Sequence, residues 1–337
     1  MNDLLNLNIY FDENYWLDDR KLFTTDIYQS SIFNSYYRYL YKKQKPLNSK
    51  FIKSGPQKLV NNTLKSFSNR SDVVFNNDTY NNYYFCSYSL KHKKNLLDIL
   101  GGSNKVIVGP LYSIEDFLEL VRLTYEYKNL KILCASNSAR KTMLKIGNII
   151  DNEDSIIVFP VGISSKIQIL KNKKERKLET KTDCLVYFKG RKKIELDTII
   201  KNLKFKNLSY EIFEYGKYSN SRLIKAAKTS KFGIVLGRTE SQGIGINELM
   251  STNLPLFVID SLENYFNNKV YEGTSVPYWD KKCGVKIDSM NYFNNKFPNF
   301  LKSVESDEYQ PYQLIVDKLS YEAMSNNLEQ AFRKISF

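Results

Sequence analysis

Short apolar runs alternate with helical patterns along most of the sequence, and this alternation constrains the fold more than any other feature. Strands that alternate with helices build βα units and mainly parallel sheets. We therefore predict an α/β protein with two doubly wound, Rossmann-like halves. The strand-like runs are Asp72–Phe75, Tyr83–Cys86, Lys105–Val108, Lys131–Cys134, Ser155–Phe159, Cys184–Phe188, Ser209–Phe213, Phe232–Leu236 and Leu256–Ile259.

The clearest helical pattern is Ile114–Tyr127, where apolar residues recur at helical spacing behind Ser113 as the predicted N-cap. Further helices are predicted after Ser138, at Ile194–Leu203, at Ser221–Lys228 with Ser219 or Asn220 as cap, at Ile246–Ser251, and within Tyr312–Ser336.

A stretch with Pro, Gly and Ser at 160–165 marks the predicted junction between two domains, and 337 residues suffice for two sizeable cores. We predict a first domain over 1–165, a second over 166–318, and a C-terminal helix over 319–337 that crosses back to the first. The two domains are expected to face each other across a cleft, because ligands of doubly wound sheets bind at the carboxyl ends of the strands.

The formal net charge is +14, which indicates an anionic partner such as nucleotide phosphates, a lipid surface or nucleic acid. A codon bias that favours Lys is the alternative explanation of this net charge, and it requires no anionic partner. Much of the excess lies between Lys166 and Lys193, next to a predicted strand–loop–helix, and this position favours a phosphate site. Since no zinc-knuckle, helix-turn-helix or RNP-type pattern is present, we expect no nucleic-acid partner.

Cysteine and histidine are sparse. The four cysteines are scattered without a CxxC pair, and the single histidine, His92, lies in a basic polar stretch. This pattern argues against a zinc site or a disulfide framework.

The chain has no apolar run long enough for a bilayer span, and its first residues do not read as a signal peptide. We expect a cytoplasmic protein, and a peripheral contact with a membrane surface stays open.

A loop that contains glycine and has a carboxylate on each side, GRTESQGIGINE, follows the run Phe232–Leu236. Gly243 and Gly245 lack side chains, so backbone amides could approach a phosphate closely, and the helix N-terminus adds partial positive charge. The carboxylates of Glu240 and Glu248 could accept hydrogen bonds from sugar and ribose hydroxyls. The alternative explanation of this spacing is an ordinary strand–turn–helix without a ligand, in which Glu248 only interacts favourably with the helix dipole.

The segment ESQGIGINE, residues 240–248, resembles the E-x7-E signature of retaining GT-B glycosyltransferases of the glycosyltransferase 4 type. The register continues through ELMSTNLPLFVID, although Asn247 replaces the family's usual proline and Ile244 replaces an aromatic residue. FPVGIS at 159–164, CASNSARK at 134–141 and KSGPQKLVNNTLKSF at 53–67 also resemble family segments, in the family's order.

The resemblance implies that a sugar moves from a UDP- or GDP-linked donor to an acceptor hydroxyl with retention at the anomeric carbon. It implies that Glu240 orients the donor sugar and that Arg191 stabilises the departing diphosphate, and we assign both as catalytic residues. The family's phosphate-binding Lys is replaced here, so Lys189, Lys192 and Lys193 stay open as substitutes. The further predicted donor-binding residues are Glu248, Gly243, Ile244, Gly245 and Tyr215, and the predicted acceptor-side residues are Gly55, Gly109 and Pro110.

Neither a cofactor nor a bound metal is expected, because the nucleotide-sugar is a substrate and no DxD triplet or His/Asp cluster is present. The acceptor is open among a glycan, a lipid and a protein. Three alternatives remain: an epimerase or phosphorylase relative, a basic nucleic-acid-binding protein, and a scaffold without catalytic activity on a GT-B-like fold.

Overall fold

The structure is a computed structural model that describes residues 6–11, 55–164 and 181–335. Most of the basic run that begins at Lys166, and residues 53–54 of the predicted N-terminal loop, lie outside these ranges. The chain divides into two compact units. Unit 1 takes the residues up to Gly162 and those from Tyr321 onward, and unit 2 is Ile163–Ser320. The predicted boundaries, after residues 165 and 318, lie close to these points.

Unit 1 is built on a parallel sheet with six strands among its described residues, in the order β2-β1-β3-β4-β5-β6. The strands are β1 (Leu7–Tyr10), β2 (Val73–Phe75), β3 (Asn82–Ser87), β4 (Lys105–Leu111), β5 (Leu130–Cys134) and β6 (Ile156–Val158). The described residues between these strands form four helices: α1 (Gly55–Phe67), α2 (Lys93–Leu100), α3 (Ile114–Glu126) and α4 (Asn137–Gly147).

The helices of unit 1 pack on both faces of its sheet, as expected for a doubly wound fold. One core lies under α1 and contains Leu7, Ile9 and Phe159, and the other lies under α2 and α3. Helix α3 begins where the sequence predicts, because the Ser113 hydroxyl accepts from the Asp116 amide in a capping box. Helix α4 begins at Asn137 rather than after Ser138, because Ser136 is its N-cap.

Strand β1 was not predicted, although it lies in the interior of the sheet. Its polar residue Asn8 is fully buried, which hides the apolar pattern of this short run. The Asn8 side chain accepts from the amides of Thr79 and Tyr80 at 3.0 and 3.1 Å and donates to the Tyr80 carbonyl at 2.6 Å. The asparagine therefore satisfies backbone groups of the loop after β2, and burial of its amide carries little cost.

Unit 2 contains a second parallel sheet, five-stranded in the described part of the chain, with the order β13-β10-β9-β7-β8. Its strands are β7 (Thr182–Lys189), β8 (Tyr210–Glu214), β9 (Ser230–Gly237), β10 (Leu256–Ile259) and β13 (Gly284–Ile287). The chain moves from β7 to β8 on one side and from β9 to β10 on the other, so the strand order reverses between β7 and β9. Ligands of such sheets bind at the carboxyl ends of the strands at this reversal.

Helices cover both faces of the second sheet as well. Those in the part of the unit that the structure describes are α5 (Lys193–Phe205), α6 (Asn220–Lys228), α7 (Ile244–Ser251), α8 (Phe293–Glu305) and α9 (Pro311–Leu314), the last followed by a π-helical turn at Ile315–Leu319. Helix α7 begins at Ile244 rather than Ile246, because Gly243 adopts the left-handed conformation as its N-cap. Helix α8 and strand β13 were not predicted.

A two-stranded hairpin separates β10 from β13 and was also not predicted. It pairs β11 (Glu263–Phe266) with β12 (Lys269–Glu272) in antiparallel register. Asn267 and Asn268 at its tip both have positive φ, which is the conformation that a tight hairpin turn requires. Short 3-10 turns lie at Leu90–His92, Glu153–Ser155, Lys281–Cys283 and Met290–Tyr292.

The C-terminal helix α10 (Tyr321–Arg333) belongs to unit 1 and packs against α1. Arg70 binds both Asp72 oxygens at 2.9 and 2.7 Å and also binds Glu329 of α10 at 2.6 Å. The Met324 sulfur lies 3.1 Å from the Gly162 amide. The last described helix thus completes the core of the first unit. In the described residues, no helix has the length and apolar character needed to cross a membrane.

A cluster of phenylalanines between α8 and the second sheet yields a stability prediction. Phe297 is fully buried, and its ring meets those of Phe257 and Phe293 at 5.4 and 4.7 Å. We expect Phe297→Ala to lower the free energy of unfolding by about 3–5 kcal/mol, because it leaves a cavity. Urea unfolding followed by circular dichroism measures this loss. The control is Phe205→Ala on α5, 87% exposed, for which a comparable loss would contradict the assignment.

Candidate functional site

The loops that follow β7 and β9 start side by side at the strand-order reversal of unit 2. Lys189 pairs in register with Gly237, the last residue of β9. The next amide, that of Arg238, donates to the Lys189 carbonyl at 2.9 Å. Residues far apart in sequence therefore meet at this edge of the sheet.

Lys189 lies at the centre of this edge, and its side chain is only 10% exposed. Its ammonium is 2.5 Å from Glu240 Oε1 and 4.2 Å from the centre of the Tyr215 ring. The Tyr215 amide donates to the Phe188 carbonyl at 2.9 Å and thereby holds the ring beside β7. A carboxylate and an aromatic face together compensate for the lost hydration of the ammonium. Three predicted site residues, Lys189, Tyr215 and Glu240, are thus brought together.

The loop that carries Glu240 is held by the segment Thr274–Pro277. The Glu240 amide donates to the Thr274 carbonyl at 2.9 Å. At Gly243, where φ is +67°, an added Cβ would lie 3.2 Å from Pro277 Cδ. The second carboxylate oxygen of Glu240, Oε2, makes no hydrogen bond with any described residue. That oxygen is therefore available to a ligand.

The N-terminus of α7 carries two amides, those of Ile244 and Gly245, that donate to no residue described in the structure. Both glycines of the loop have a packing reason as well. Gly243 needs its left-handed φ, and an added Cβ at Gly245 would lie 3.2 Å from the Tyr187 hydroxyl. Asn247, which stands where the resembled family has proline, donates to the Gln242 carbonyl at 3.1 Å and closes the loop.

Glu248 lies in the second turn of α7 rather than in the first, since the helix begins earlier than predicted. It is 9% exposed, and its Oε1 accepts from Asn220 Nδ2 of α6 at 3.2 Å. Tyr218 lies close enough to both glutamates for their charges to act on its hydroxyl. Burial, and then the charges of Glu248 and Glu240, raise the pKa of the Tyr218 hydroxyl to about 12, although a hydrogen bond with Tyr187 lowers it. Tyr218 is therefore a neutral hydrogen-bonding group at physiological pH.

Arg191 is engaged in a different way from the one predicted. Its Nη1 donates to the carbonyls of Ile259 and Asp260 at 3.2 and 3.0 Å, and its Nε and Nη2 bind the Glu195 carboxylate. The guanidinium thus joins the carboxyl end of β10 to the first turn of α5. Contact with a phosphate would require Arg191 to exchange these partners, and this role stays a prediction.

The other two candidate lysines lie farther out, at the start of α5. Both are exposed. The Lys192 amide donates to Glu195, and the Lys193 ammonium lies 3.7 Å from Asp197. Of the three lysines, Lys189 is the one that the structure places beside Glu240.

The predicted acceptor-side residues lie in unit 1. Gly55 is the first residue of α1, and an added Cβ there would meet no atom within 4 Å. Gly109 and Pro110 belong to β4 and are joined by a cis peptide bond. At Gly109 an added Cβ would lie 2.7 Å from the Leu133 carbonyl, so close packing within the sheet explains this glycine. Their contact with an acceptor stays a prediction.

Asp260 is a residue for which the sequence analysis assigned no role. It is 3% exposed at the end of β10 and accepts from the Ser275 amide at 2.7 Å and the Thr274 hydroxyl at 2.9 Å. Lys286 lies 3.1 Å away. Burial alone would raise its pKa, but the bonds from Ser275, the Lys286 charge and the Thr274 hydroxyl together hold the pKa below its usual value. Asp260 anchors the segment that supports the Glu240 loop.

No group of three or more His, Cys, Asp and Glu side chains is placed to hold a metal ion in the part of the chain that the structure describes. His92 lies in a 3-10 turn of unit 1 with its Nδ1 3.4 Å from the Ser89 hydroxyl.

Comparison with known proteins addresses the fold. No protein-family model matches this chain, and no curated protein matches it either. Among solved structures, a chain of the GtfA/B complex is similar, with a TM-score of 0.52 at 12% identity over 75% of this chain and 57% of that chain. The lipopolysaccharide outer core galactosyltransferase WaaB is similar with a TM-score of 0.51 at 12% identity, over 97% of this chain and 99% of that chain. Sucrose-phosphate synthase from Thermosynechococcus elongatus is similar with a TM-score of 0.50 at 10% identity, over 97% of this chain and 98% of that chain.

These similarities show the fold. Both units are Rossmann-like α/β units with parallel sheets, as in GT-B glycosyltransferases, and the predicted fold class is confirmed. The present chain spans little more than half of the GtfA/B chain that it matches.

The bonds of Arg191 predict a structural effect of its removal. Arg191→Ala leaves buried carbonyls and Glu195 without their donor, and we expect the free energy of unfolding to fall by about 3 kcal/mol. Urea unfolding measures this free energy. The control is Arg222→Ala, because Arg222 is 65% exposed and pairs with Glu211 at the surface, where removal of the pair should cost little. Equal stability of the two variants would argue against the carbonyl contacts.

Asp260 predicts a dependence of stability on pH. Its folded-state pKa lies below its usual value of 3.8, so its contribution is fully present above that pH and is lost as the pH falls through the folded-state value. We expect Asp260→Asn to lower the free energy of unfolding by about 2 kcal/mol at pH 7, and the gap from wild type to shrink below pH 3.8.

Unfolding midpoints at a series of pH values test this expectation. Asp197→Asn is the control, since Asp197 is 46% exposed and its change should lie within about 0.5 kcal/mol at every pH. A gap for Asp260→Asn that stays constant into acid would contradict the role of its charge.

Proposed function

We propose that this protein is a glycosyltransferase that moves a sugar from a UDP- or GDP-linked donor to an acceptor hydroxyl, with retention at the anomeric carbon and without a metal ion. The observation that carries the proposal is the cluster of Lys189, Tyr215 and Glu240 beside the free amides of α7, at the strand-order reversal of a Rossmann-like unit. The fold and the resemblance of residues 240–248 to the E-x7-E signature support the same activity.

The diphosphate of the donor is placed by charge. An ammonium has three donors, and Lys189 uses one toward Glu240, which leaves donors for phosphate oxygens. The amides of Ile244 and Gly245 and the positive end of the α7 dipole add to the same attraction. Lys189 thus supplies the cation that the resembled family carries later in its sequence. Lys192 is the N-cap of α5 and Lys193 is its first residue, and both are exposed.

The hydroxyls of the donor are placed by the two glutamates. Glu240 Oε2 accepts from the transferred sugar, because its other oxygen is held by Lys189. Glu248 accepts from the ribose, since its carboxylate lies beside Asn220 at the start of α6. Tyr215, 45% exposed, borders the same region and contacts the base.

In the reaction, the bond between the anomeric carbon and the diphosphate oxygen breaks, and the electron pair leaves with the nucleoside diphosphate. The acceptor oxygen forms a bond to the anomeric carbon, and its proton passes to the departing diphosphate. Lys189 and the α7 amides stabilise the negative charge that develops on that leaving group, and this kind of stabilisation is usually the largest catalytic effect. Neither glutamate acts as a nucleophile. The acceptor is a glycan, a lipid or a protein, and the protein acts in the cytoplasm, where a peripheral membrane contact would give it access to a lipid.

A panel of UDP- and GDP-sugars tests the proposal. We expect one donor to raise the melting temperature of the full chain and to be hydrolysed slowly with release of its nucleoside diphosphate, with or without a chelator. NMR of the released sugar should show the anomeric configuration of the donor. We expect Lys189→Met and Glu248→Gln to abolish the shift in melting temperature, and Lys189→Met to lower the rate about 10²–10³-fold.

The control is Lys193→Met, which removes the same charge from an exposed position on α5 and should respond to the donor like wild type. Circular dichroism establishes that each variant is folded, and Lys189→Met/Glu240→Gln removes both members of the ion pair if the single change unfolds the protein. Should no nucleotide-sugar stabilise the chain, or should the site variants respond like wild type, the proposal is wrong.

A further inference from the structure

Arg238 is a basic residue at the edge of the second sheet that the proposed function does not use. Arg238 directly follows β9 and is exposed. Its amide donates to the Lys189 carbonyl at 2.9 Å, so its backbone lies beside the cluster of Lys189 and Glu240. Arg238 therefore stands at the strand-order reversal itself.

The side chain of Arg238 rests on Gly190. An ideal Cβ added at Gly190 would lie 3.0 Å from Arg238 Cδ and 3.5 Å from both its Cβ and its Cγ. Gly190 also has a φ of +64°, which favours glycine. Glycine at position 190 thus lets the aliphatic part of Arg238 lie along the backbone of the β7 loop, which limits the directions that the guanidinium can take.

The charges of the neighbouring residues distinguish Arg238 from Lys189 and Arg191. Lys189 is paired with Glu240, and Arg191 is held by Glu195 and by backbone carbonyls. The Arg238 guanidinium makes no hydrogen bond or ion pair with any residue that the structure describes. It is the cation of these three whose charge is not matched by a described carboxylate.

We infer that Arg238 binds the diphosphate of the donor as a second cation beside Lys189, and that Gly190 is a positioning residue for it. A guanidinium binds phosphate oxygens through two parallel N–H bonds, which suits a diphosphate better than a single ammonium does. This inference rests on the proposed function, because it names a further contact in the same site.

Calorimetric titration of the full chain with UDP, GDP, inorganic pyrophosphate, uridine and guanosine tests it. We expect Arg238→Gln to weaken binding of the preferred nucleoside diphosphate about 10- to 100-fold, because a charge-assisted hydrogen bond is lost. Binding of the matching nucleoside should not change. The control Lys231→Gln removes one charge from the opposite, amino end of β9, where Lys231 is 55% exposed, and should keep wild-type affinity.

The role of Gly190 is tested by a double-mutant cycle. Gly190→Ala introduces a Cβ against the Arg238 stem and should weaken diphosphate binding in the wild-type background. In the Arg238→Gln background the same change should add little to the loss of affinity, because the guanidinium whose position it disturbs is already absent. Equal losses in both backgrounds would show that Gly190 acts independently of Arg238.

The outcomes separate this inference from the proposed function. If the wild-type chain binds UDP or GDP and Arg238→Gln binds it equally well, the inference is overturned and the proposed function stands. If neither nucleotide binds but pyrophosphate binds with an affinity that depends on Arg238, the proposed function fails and the anion contact stands. If neither the nucleotides nor pyrophosphate bind, both are overturned.

Discussion

A lysine ammonium that is removed from water needs a nearby negative charge, and Lys189 finds it in Glu240. This ion pair joins the last residue of β7 to the loop after β9, which are separated by 51 residues of sequence. It is possible only because β7 and β9 are neighbours in parallel register, so that their carboxyl ends coincide. The positions of Tyr215, Arg238 and the start of α7 then follow from the strands and loops next to this pair.

Support for the pair comes from a second layer of buried polar groups. Asp260 binds Thr274 and Ser275, and the Thr274 carbonyl in turn accepts from the Glu240 amide. Arg191 fastens the end of β10 to α5. Because these groups have their partners within the protein, the loop edge is prepared before any ligand arrives. A prepared edge lowers the entropic cost of binding.

Much of the fold was predictable because it depends on local pattern. Long periodic elements such as α3 were found with their caps, and the nine strand-like runs all correspond to strands. Strand β1 is not predicted, because Asn8 interrupts its apolar run. The predicted start of α7 lies two residues too late, because the residue type alone does not show that Gly243 has a left-handed φ and serves as the N-cap. The asparagine pair at 267–268 is a sequence signal for the hairpin, because asparagine tolerates the positive φ that a tight turn requires.

The site was predictable in composition but not in pairing. The residues 240–248 and the loop after β7 were identified, yet nothing in the sequence shows that Arg191 turns toward backbone carbonyls or that Lys189 meets Glu240. Those contacts depend on which strands are neighbours and on the depth at which each side chain lies. Asp260 and Arg238 were overlooked for the same reason, since a single Asp or Arg after a strand has many ordinary explanations.

The placement of α10 in unit 1 affects how the protein is made on the ribosome. Synthesis proceeds from the N-terminus, so every residue of unit 2 is polymerised before α10 exists. Until then the apolar face of α1 that receives Leu328 and Phe332 lacks its cover. Unit 2 can therefore fold before unit 1 is complete. A nascent chain that is stalled before residue 321 would expose the apolar face of α1, which is the kind of surface that chaperones bind.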